Sequence, residues 1–275
     1  MRILPKDRPP SRLSGMVSVL LVQPRQGEAV VAAERRDFLQ STGLKPDELT
    51  SRMLDSVDTI VGSLEGFDGV IVGGSPLNVT NFEYDAWQHH VHRQLAALAR
   101  QPLPTMFVCY GNTFLAHLDG GEVGRTHPEQ SGPTSVHLTE EGQRDILTHD
   151  LPDTFMSFTG HTENVVTAAP GHRVLATGPT CPVQMVRANA TTWAVQFHAD
   201  MDALAMKNRM DFYANYGYFS PEDYDQIIAG LPSVDAVYAN RVLRNFIEVC
   251  EGTRPADGAE HQPSGGHRLS SPGSR

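Results

Sequence analysis

Two short segments of the 275-residue chain carry the residue types of nucleophilic catalysis. In Phe107-Val108-Cys109-Tyr110-Gly111-Asn112, a cysteine ends an apolar run, a glycine follows two residues later, and a helix is predicted to begin. A tight turn from strand to helix lifts a side chain above a sheet and points a helix N-terminus at the sulfur, which favours the thiolate. A buried structural cysteine is the alternative interpretation of Cys109.

The second segment is Trp193-Ala194-Val195-Gln196-Phe197-His198-Ala199-Asp200, an apolar run that ends in a histidine with a carboxylate two residues later. A cysteine nucleophile needs a base that takes its proton, and the base needs a group that orients it. His198 and Asp200 have the right side chains for these two roles. A surface histidine and a helix N-cap are the alternatives.

Buried strands and helices alternate in the part of the chain that must position these residues. The runs 17–22, 68–74 and 104–109 are typical of buried parallel strands, and helices are predicted over 29–40 and 84–100. This alternation predicts an α/β domain with a parallel sheet that is covered on both faces. Shorter strands over 136–193 predict a small mixed or antiparallel portion, and 203–248 is predicted to be mainly helical.

Composition excludes several classes of protein. The net charge of −10 disfavours nucleic-acid binding, which needs a concentrated positive surface. Three cysteines do not form a disulfide framework, and no apolar run has the length of a membrane span, so a cytoplasmic protein is expected. We expect no cofactor and no metal, because the paired His89 and His92 are interpreted as part of an exposed polar helix face.

The two ends of the chain differ from its middle in composition. Residues 1–15 are basic and proline-rich, and they are predicted to form a disordered N-terminal extension. Residues 251–275 are rich in Gly, Pro and Ser, and this composition cannot bury enough apolar surface to offset the entropy of ordering. One folded domain is therefore predicted over residues 16–250.

The two motifs, in this order, resemble the class I glutamine amidotransferases. Similar segments are the run 66–76, which looks like the strand and oxyanion loop of that family, and 120–125, after the elbow helix. The runs 160–166 and 181–184 resemble the family's Ser-His-Gly-Asp-x-Val and Pro-Val-Gln segments. The resemblance implies a flavodoxin-like three-layer sandwich with a mainly parallel sheet, a small antiparallel portion and a helical C-terminal extension. That extension is similar to stand-alone relatives of the GMP synthase amidotransferase domain.

What the resemblance implies is glutamine hydrolysis through a cysteine thioester, with Cys109 as nucleophile, His198 as base and Asp200 as its orienting group. Backbone N–H groups would hold the oxyanion, and a small set of residues would contact the substrate. The predicted oxyanion donors are Gly74, Ser75 and Tyr110, and the predicted substrate contacts are Asn112, Thr113, Gly160 and His161. A separate synthetase would take the ammonia.

The sequence departs from the family pattern next to the nucleophile. Phe107 stands where a glycine is usual and predicts a more crowded turn, while Asn112-Thr113 replaces the usual His-Gln pair. These changes leave two alternatives open: a γ-glutamyl peptide hydrolase of the same fold, and a binding or regulatory module without activity. The methionines Met201, Met206 and Met210 are interpreted as packing residues. The aromatic run from Tyr213 to Phe219 could cover the site or form a contact surface, and packing against the sheet is the favoured interpretation.

Overall fold

The structure is a computed structural model, and it describes residues 16–254. The disordered extension predicted for residues 1–15 and most of the predicted tail lie outside this range. Residues 251–254 differ from the prediction, because the last helix continues to Glu251 and Arg254 donates hydrogen bonds to Glu248 and Asp150 at 2.8 and 2.7 Å.

A nine-stranded sheet forms the middle layer. The strands in chain order are β1 Val19–Gln23, β2 Leu49–Met53, β3 Gly69–Val72, β4 Thr105–Val108, β5 Glu122–Gly124, β6 Glu129–Leu138, β7 Thr154–His161, β8 Asn164–Thr167, β9 Arg173–Thr177, β10 Met185–Arg187 and β11 Thr192–Val195. The large sheet has the order β2-β1-β3-β4-β11-β10-β9-β6-β7, and β5 pairs with β8 in a separate two-stranded antiparallel sheet.

The first five strands of that order are parallel, and the remaining pairings are antiparallel. The predicted α/β sandwich is therefore confirmed, but the antiparallel portion is larger than expected. The longest strand, β6, contains Gly132 and Pro133, which weaken a strand pattern in sequence. The edge strand β2 gives little signal in sequence because it is short and half-exposed.

Within the described part of the chain, six α-helices lie against the sheet: α1 Glu28–Thr42, α2 Ala86–Ala99, α3 Tyr110–Leu118, α4 Ala203–Phe212, α5 Tyr224–Gly230 and α6 Val237–Glu251. Side chains of α1, α4 and α6 pack in the core on one face, and those of α2 and α3 pack on the other. Strand β1 serves both cores, because Val19 and Leu21 point to one face while Leu20 and Val22 point to the other. A fully apolar strand is thus buried on both sides.

The predicted site residues follow the carboxyl ends of three adjacent parallel strands. The Gly73–Ser75 turn follows β3, Cys109 follows β4, and His198 lies three residues after β11. Open α/β sheets place functional residues at this edge. The fold thus brings together side chains that are far apart in sequence. Between residues 16 and 254, no helix combines the length and the apolar composition that a bilayer span requires.

Candidate active site

Cys109 occupies a strained turn between β4 and α3. Its φ of 56° and ψ of −102° make it the one non-glycine residue with positive φ among residues 16–254. Tyr110 is the first residue of α3, so its N–H has no acceptor within the helix. Strain of this kind persists where surrounding packing fixes it, and it is frequent at functional sites.

Phe107 packs directly against this turn. A Cβ atom added to Gly111 would lie 2.5 Å from the Cβ of Phe107, which no side chain tolerates. Gly111 is therefore the counterpart of Phe107, and the pair gives the crowded turn that the sequence predicts. The elbow keeps its shape with a bulky residue before the cysteine because the glycine after it leaves room.

His198 and Asp200 form a buried hydrogen-bonded pair. The distance from His198 Nδ1 to Asp200 Oδ1 is 3.1 Å, and the His198 N–H donates to the carbonyl of Phe158 on β7 at 2.8 Å. Burial alone would lower the pKa of His198, but the charges of Asp200 and Cys109 and hydrogen bonds to both side chains raise it to about 9. The histidine thus favours its protonated form beside the sulfur.

Gly74 lies against His198 and Cys109, and both its N–H and its carbonyl group are hydrogen-bonded. An added Cβ there would lie 3.4 Å from His198 Cε1 and 3.8 Å from Cys109 Cβ. Its N–H donates to Glu34 Oε1 at 3.1 Å, and its carbonyl accepts from Arg25 Nη2 at 2.6 Å. The Gly74 amide is thus occupied, and of the two neighbouring donors predicted for an oxyanion, Ser75 is the better placed.

A cluster of buried charges supports the Gly74 peptide and the His198–Asp200 pair. Arg25 and Glu34 form an ion pair of 2.7 Å with side chains only 2% and 0% exposed. Arg209 lies 3.3 Å from Asp37, 3.7 Å from Glu34 and 3.8 Å from Asp200. Burial and the charge of Asp200 raise the pKa of Asp37 to about 7, against the opposing effect of Arg209.

Two cavities meet at the Cys109 side chain. Ser75, Cys109, Gly160 and Tyr218 line both of them. The wide cavity encloses about 450 Å³, counting space open to solvent, and the narrow cavity about 240 Å³. The wide cavity is further lined by Arg25, His198, Met206, Met210, Tyr213 and Phe219, among others. The narrow cavity is further lined by Leu77, Tyr110, Thr113, His161, Glu163 and others.

The methionines and the aromatic run do more than pack in the core, which is the role expected of them. Met206, Met210, Tyr213 and Phe219 are buried, but they also line the wide cavity. Tyr213 accepts a hydrogen bond of 2.9 Å from Arg25 Nη1, which ties the aromatic run to the charge cluster. The run thus covers the cysteine instead of only filling space on the sheet.

Glu163 organises the narrow cavity. Its carboxylate accepts from the N–H groups of Val79 and Thr80 at 3.1 and 3.0 Å, from Thr80 Oγ1 at 3.0 Å and from Thr113 Oγ1 at 2.7 Å. These bonds fix the loop after Ser75 to the helix that follows Cys109. The predicted contacts Thr113, Gly160 and His161 do line this cavity.

Asn112, by contrast, lines neither cavity and is fully buried. Its Nδ2 donates to the Val183 carbonyl at 3.2 Å and to Gln196 Oε1 at 3.1 Å. The structure therefore does not bring Asn112 to the substrate side. Its amide joins α3 to the segments around β10 and β11, because the residue three positions after the elbow cysteine points back at the sheet.

A second polar cluster lies behind His161. Donor atoms of Glu129, His161 and Cys181 lie within 4.8 Å of one another, a spacing that could hold a metal ion. The Glu129 carboxylate, however, accepts hydrogen bonds from five side chains, namely His161, Thr134, Thr159, Thr180 and Gln184. Although burial opposes ionisation, these donors hold the pKa of Glu129 at about 2. The donor set fits a hydrogen-bond network that fixes His161.

The histidine-rich helix α2 keeps only part of its predicted exposed face, because His89 is exposed whereas His92 is half-buried. His90 is buried, with Nε2 2.6 Å from the carbonyl oxygen of Thr59. Burial, followed by the charges of His117 and His89, lowers the pKa of His92 to about 4. Two of the three histidines therefore contribute to packing.

Arg25 and Glu34 are site residues that the sequence did not reveal. Arg25 follows the carboxyl end of β1, the same sheet edge as Cys109, and this position was a usable signal. Glu34 gave none, because a glutamate within a charged helix is normally exposed.

Comparisons with known proteins agree with this geometry. The sequence profile of the Glutamine amidotransferase class-I family matches residues 46–212. The chain belongs to this family. A glutamine-hydrolyzing GMP synthase of Aeropyrum pernix is 31% identical over 147 residues, which are 53% of this chain and 27% of that protein. A shorter relative from Sulfolobus acidocaldarius, one subunit of a glutamine-hydrolyzing GMP synthase, is 28% identical over 152 residues, 52% of this chain and 73% of the relative.

Solved structures of other proteins share the fold of this chain. A glutamine amidotransferase from Thermotoga maritima superposes with a TM-score of 0.67 at 18% identity, covering 86% of this chain and 98% of the other. One from Methylobacillus flagellatus gives 0.64 at 15% identity, covering 91% and 100%. The match thus spans about a quarter of the GMP synthase of Aeropyrum pernix and nearly all of the two solved chains.

Proposed function

We propose that this amidotransferase hydrolyses the side-chain amide of glutamine, or of another γ-glutamyl compound, through a thioester on Cys109. The observation that carries the proposal is the strained elbow of Cys109 beside the hydrogen-bonded His198–Asp200 pair. A cysteine with a positioned base, itself oriented by a third group, is the arrangement of nucleophilic acyl transfer.

In the first step, Cys109 Sγ attacks the amide carbon, and the carbonyl oxygen becomes an oxyanion. The Tyr110 N–H, which has no acceptor within α3, and the Ser75 N–H in the loop after β3 are the proposed donors. Losing one such donor typically costs about 10²- to 10³-fold in rate. The Gly74 peptide supports this loop through its hydrogen bonds with Arg25 and Glu34. Its N–H is not a proposed donor to the oxyanion, because it already donates to Glu34.

In the second step, the C–N bond breaks and His198 gives its proton to the departing amine. The raised pKa of His198, about 9, suits this acid role at neutral pH. Water then attacks the thioester, with neutral His198 as base, and releases glutamate. Asp200 keeps Nδ1 of the imidazole occupied, so that Nε2 is left for the sulfur and the amine.

The narrow cavity is the proposed seat of the glutamyl group. Glu163 provides a buried negative charge there, which suits the α-ammonium group of a glutamyl substrate. If glutamine is the substrate, the ammonia would pass to a separate synthetase. The relative that is one subunit of a GMP synthase suggests such a partner, and the acceptor of this chain is open to experiment.

The test is intact-mass analysis after treatment with a diazoketone analogue of glutamine, together with an assay of glutamate release. We expect one adduct on the wild-type protein, none on Cys109→Ala, and an unchanged adduct on the control Cys250→Ala. Absence of both adduct and glutamate release from the wild-type protein would favour the non-catalytic binding module instead.

A further inference from the structure

The wide cavity lies on the side of Cys109 that holds the proposed acid. His198 lines the wide cavity, whereas Tyr110, a proposed oxyanion donor, lines the narrow one. In acyl transfer, the acid must reach the nitrogen of the leaving amine, and the oxyanion donors must reach the carbonyl oxygen. A bound amide therefore directs its amine substituent toward the wide cavity, while its glutamyl group lies in the narrow one beside Glu163, as proposed above.

The wide cavity is larger than the narrow one. Counting space open to solvent, it has about 450 Å³ against about 240 Å³. A substituent on the leaving amine would extend into this larger space.

The lining of the wide cavity is largely apolar. Met201, Met206 and Met210 contribute thioethers, and Tyr213, Tyr218 and Phe219 contribute aromatic rings. Unbranched thioethers adapt to irregular ligands and pack favourably against rings, and aromatic pairs gain further from edge contacts. This chemistry recognises an aromatic or branched aliphatic group.

The two arginines of the wide cavity do not offer a free site for a carboxylate. Arg25 uses Nη1 on Tyr213 and Nη2 on Glu34 and the Gly74 carbonyl. Among residues 16–254, its Nε is left without a hydrogen-bond partner, which is one donor, whereas a guanidinium normally binds a carboxylate with two.

Arg209 is surrounded by Asp37, Glu34 and Asp200 within 3.3–3.8 Å. Both arginines are therefore already paired with carboxylates, and neither guanidinium is left for an anionic substituent. A neutral substituent suits the wall better than an anionic one.

We propose that the wide cavity is a leaving-group subsite and that the preferred substrate is the γ-glutamyl amide of a primary amine with an aromatic or branched aliphatic substituent. This proposal rests on the thioester function above. Cys109 Sγ bonds to the γ-carbonyl carbon, the C–N bond breaks, and the amine leaves with a proton from His198. Water then hydrolyses the thioester, so that amide and water give glutamate and the ammonium form of the amine.

The first experiment compares kcat/KM for glutamine, γ-glutamyl ethylamide, γ-glutamyl phenethylamide and the dipeptide γ-glutamylphenylalanine. We expect the phenethylamide to exceed glutamine by at least about 10-fold, the lower end of the discrimination that a hydrophobic contact provides. The ethylamide should fall between them. The dipeptide should be poorer than the phenethylamide, because both arginines of the wide cavity are already paired with carboxylates. A kcat/KM for glutamine equal to or above that of the phenethylamide overturns the proposal.

The second experiment alters the cavity wall. Met206→Trp fills the wide cavity and should lower the ratio of phenethylamide to glutamine kcat/KM by about 10-fold or more. Leu204→Trp is the matched control, since Leu204 lies two residues away on α4 and is 65% exposed. It should keep the wild-type ratio. If Met206→Trp fails to fold, Phe219→Ala removes a ring from the same wall and should lower the ratio by about 3- to 10-fold. An unchanged ratio in a folded wall variant contradicts the subsite.

The failures of the two proposals are distinguishable. Labelling of Cys109 and hydrolysis of glutamine, without preference for substituted amides, would leave the thioester function standing and refute the leaving-group subsite. No turnover of any of the four substrates, with no label on Cys109, would refute both.

Discussion

The two cavities on either side of Cys109 share four lining residues and otherwise differ in the parts of the chain that line them. The narrow cavity uses the loop after β3, the start of α3 and the end of β7, and these segments resemble the family motifs. The wide cavity has Gly74, Pro76 and His198 from such motifs, but it adds the end of β1, helix α4 and the aromatic run after it, where no motif was found.

They differ in chemistry as well as in origin. The Glu163 carboxylate accepts four hydrogen bonds that join the walls of the narrow cavity, so the shape of this cavity is fixed. The wall of the wide cavity combines methionine side chains with an aromatic run, which can adapt to different groups. The difference suggests that the common glutamyl group is recognised on one side and the variable amine on the other.

The largest expected effect is on Cys109, one of the four residues that line both cavities. Cys109→Ala removes the nucleophile and should lower kcat for glutamine and for every substituted amide by about 10⁵-fold or more. Steady-state assays of glutamate release measure it, with Cys250→Ala as the control. Residual activity on one substrate class alone would mean that the two cavities do not serve a single nucleophile.

The positions of Cys109 and His198 were predictable because the sequence signals for them are local. An apolar run followed by Cys109 and Gly111 specifies a strand, a turn and a helix start, and another such run specifies the position of His198. Strands such as β1 were recognisable because they are buried on both faces and continuously apolar.

The wide cavity was not predictable, because its polar residues are buried by contacts distant in sequence. Arg25 bonds to Tyr213, and Arg209 bonds to Asp37, across most of the chain. Neither pairing leaves a trace in local composition. Gly132 and Pro133 likewise concealed β6, whose pairing with β7 is the longest in the sheet.

Asp200→Asn should have the next largest effect, because it acts through His198 on the leaving-group side. The charge of Asp200 raises the pKa of His198 against the effect of burial. Its loss should lower kcat by about 10²- to 10⁴-fold.

The pH profile separates this role from a structural one. The wild-type kcat/KM should fall as the pH rises through about 9, where His198 loses its proton. The alkaline limb of Asp200→Asn should lie at lower pH, since burial then acts with less opposition. Profiles that share the same alkaline limb would show that Asp200 does not control the acid.

Glu163→Gln should affect the narrow cavity alone. The substitution removes the negative charge and replaces one acceptor oxygen by an NH₂ group that faces N–H or O–H donors. KM for glutamine and for the phenethylamide should both rise by about 10- to 100-fold. The ratio of their kcat/KM values should stay constant, because both carry the glutamyl group. The exposed Glu65→Gln is the control, and a change in the ratio would contradict the division between the cavities.

Asp37→Asn tests the charge balance of the wide cavity through stability and not through activity. The folded pKa of Asp37 is raised to about 7, above the ordinary value of about 3.9 in an unfolded chain. The folded state therefore binds more protons between these values, and Asp37 costs stability progressively as the pH rises from about 4 to 7. Asparagine keeps an acceptor for Arg209 without that cost.

The free energy of unfolding of Asp37→Asn, relative to wild type, should thus increase by about 2 to 4 kcal/mol between pH 4 and pH 8. Urea unfolding at both pH values measures it, with the exposed Asp47→Asn as the control. A difference that does not change with pH would mean that Asp37 is ionised at neutral pH at no cost. The wall would then hold three full negative charges against two arginines, an arrangement still less suited to an anionic leaving group and more favourable to a cationic one.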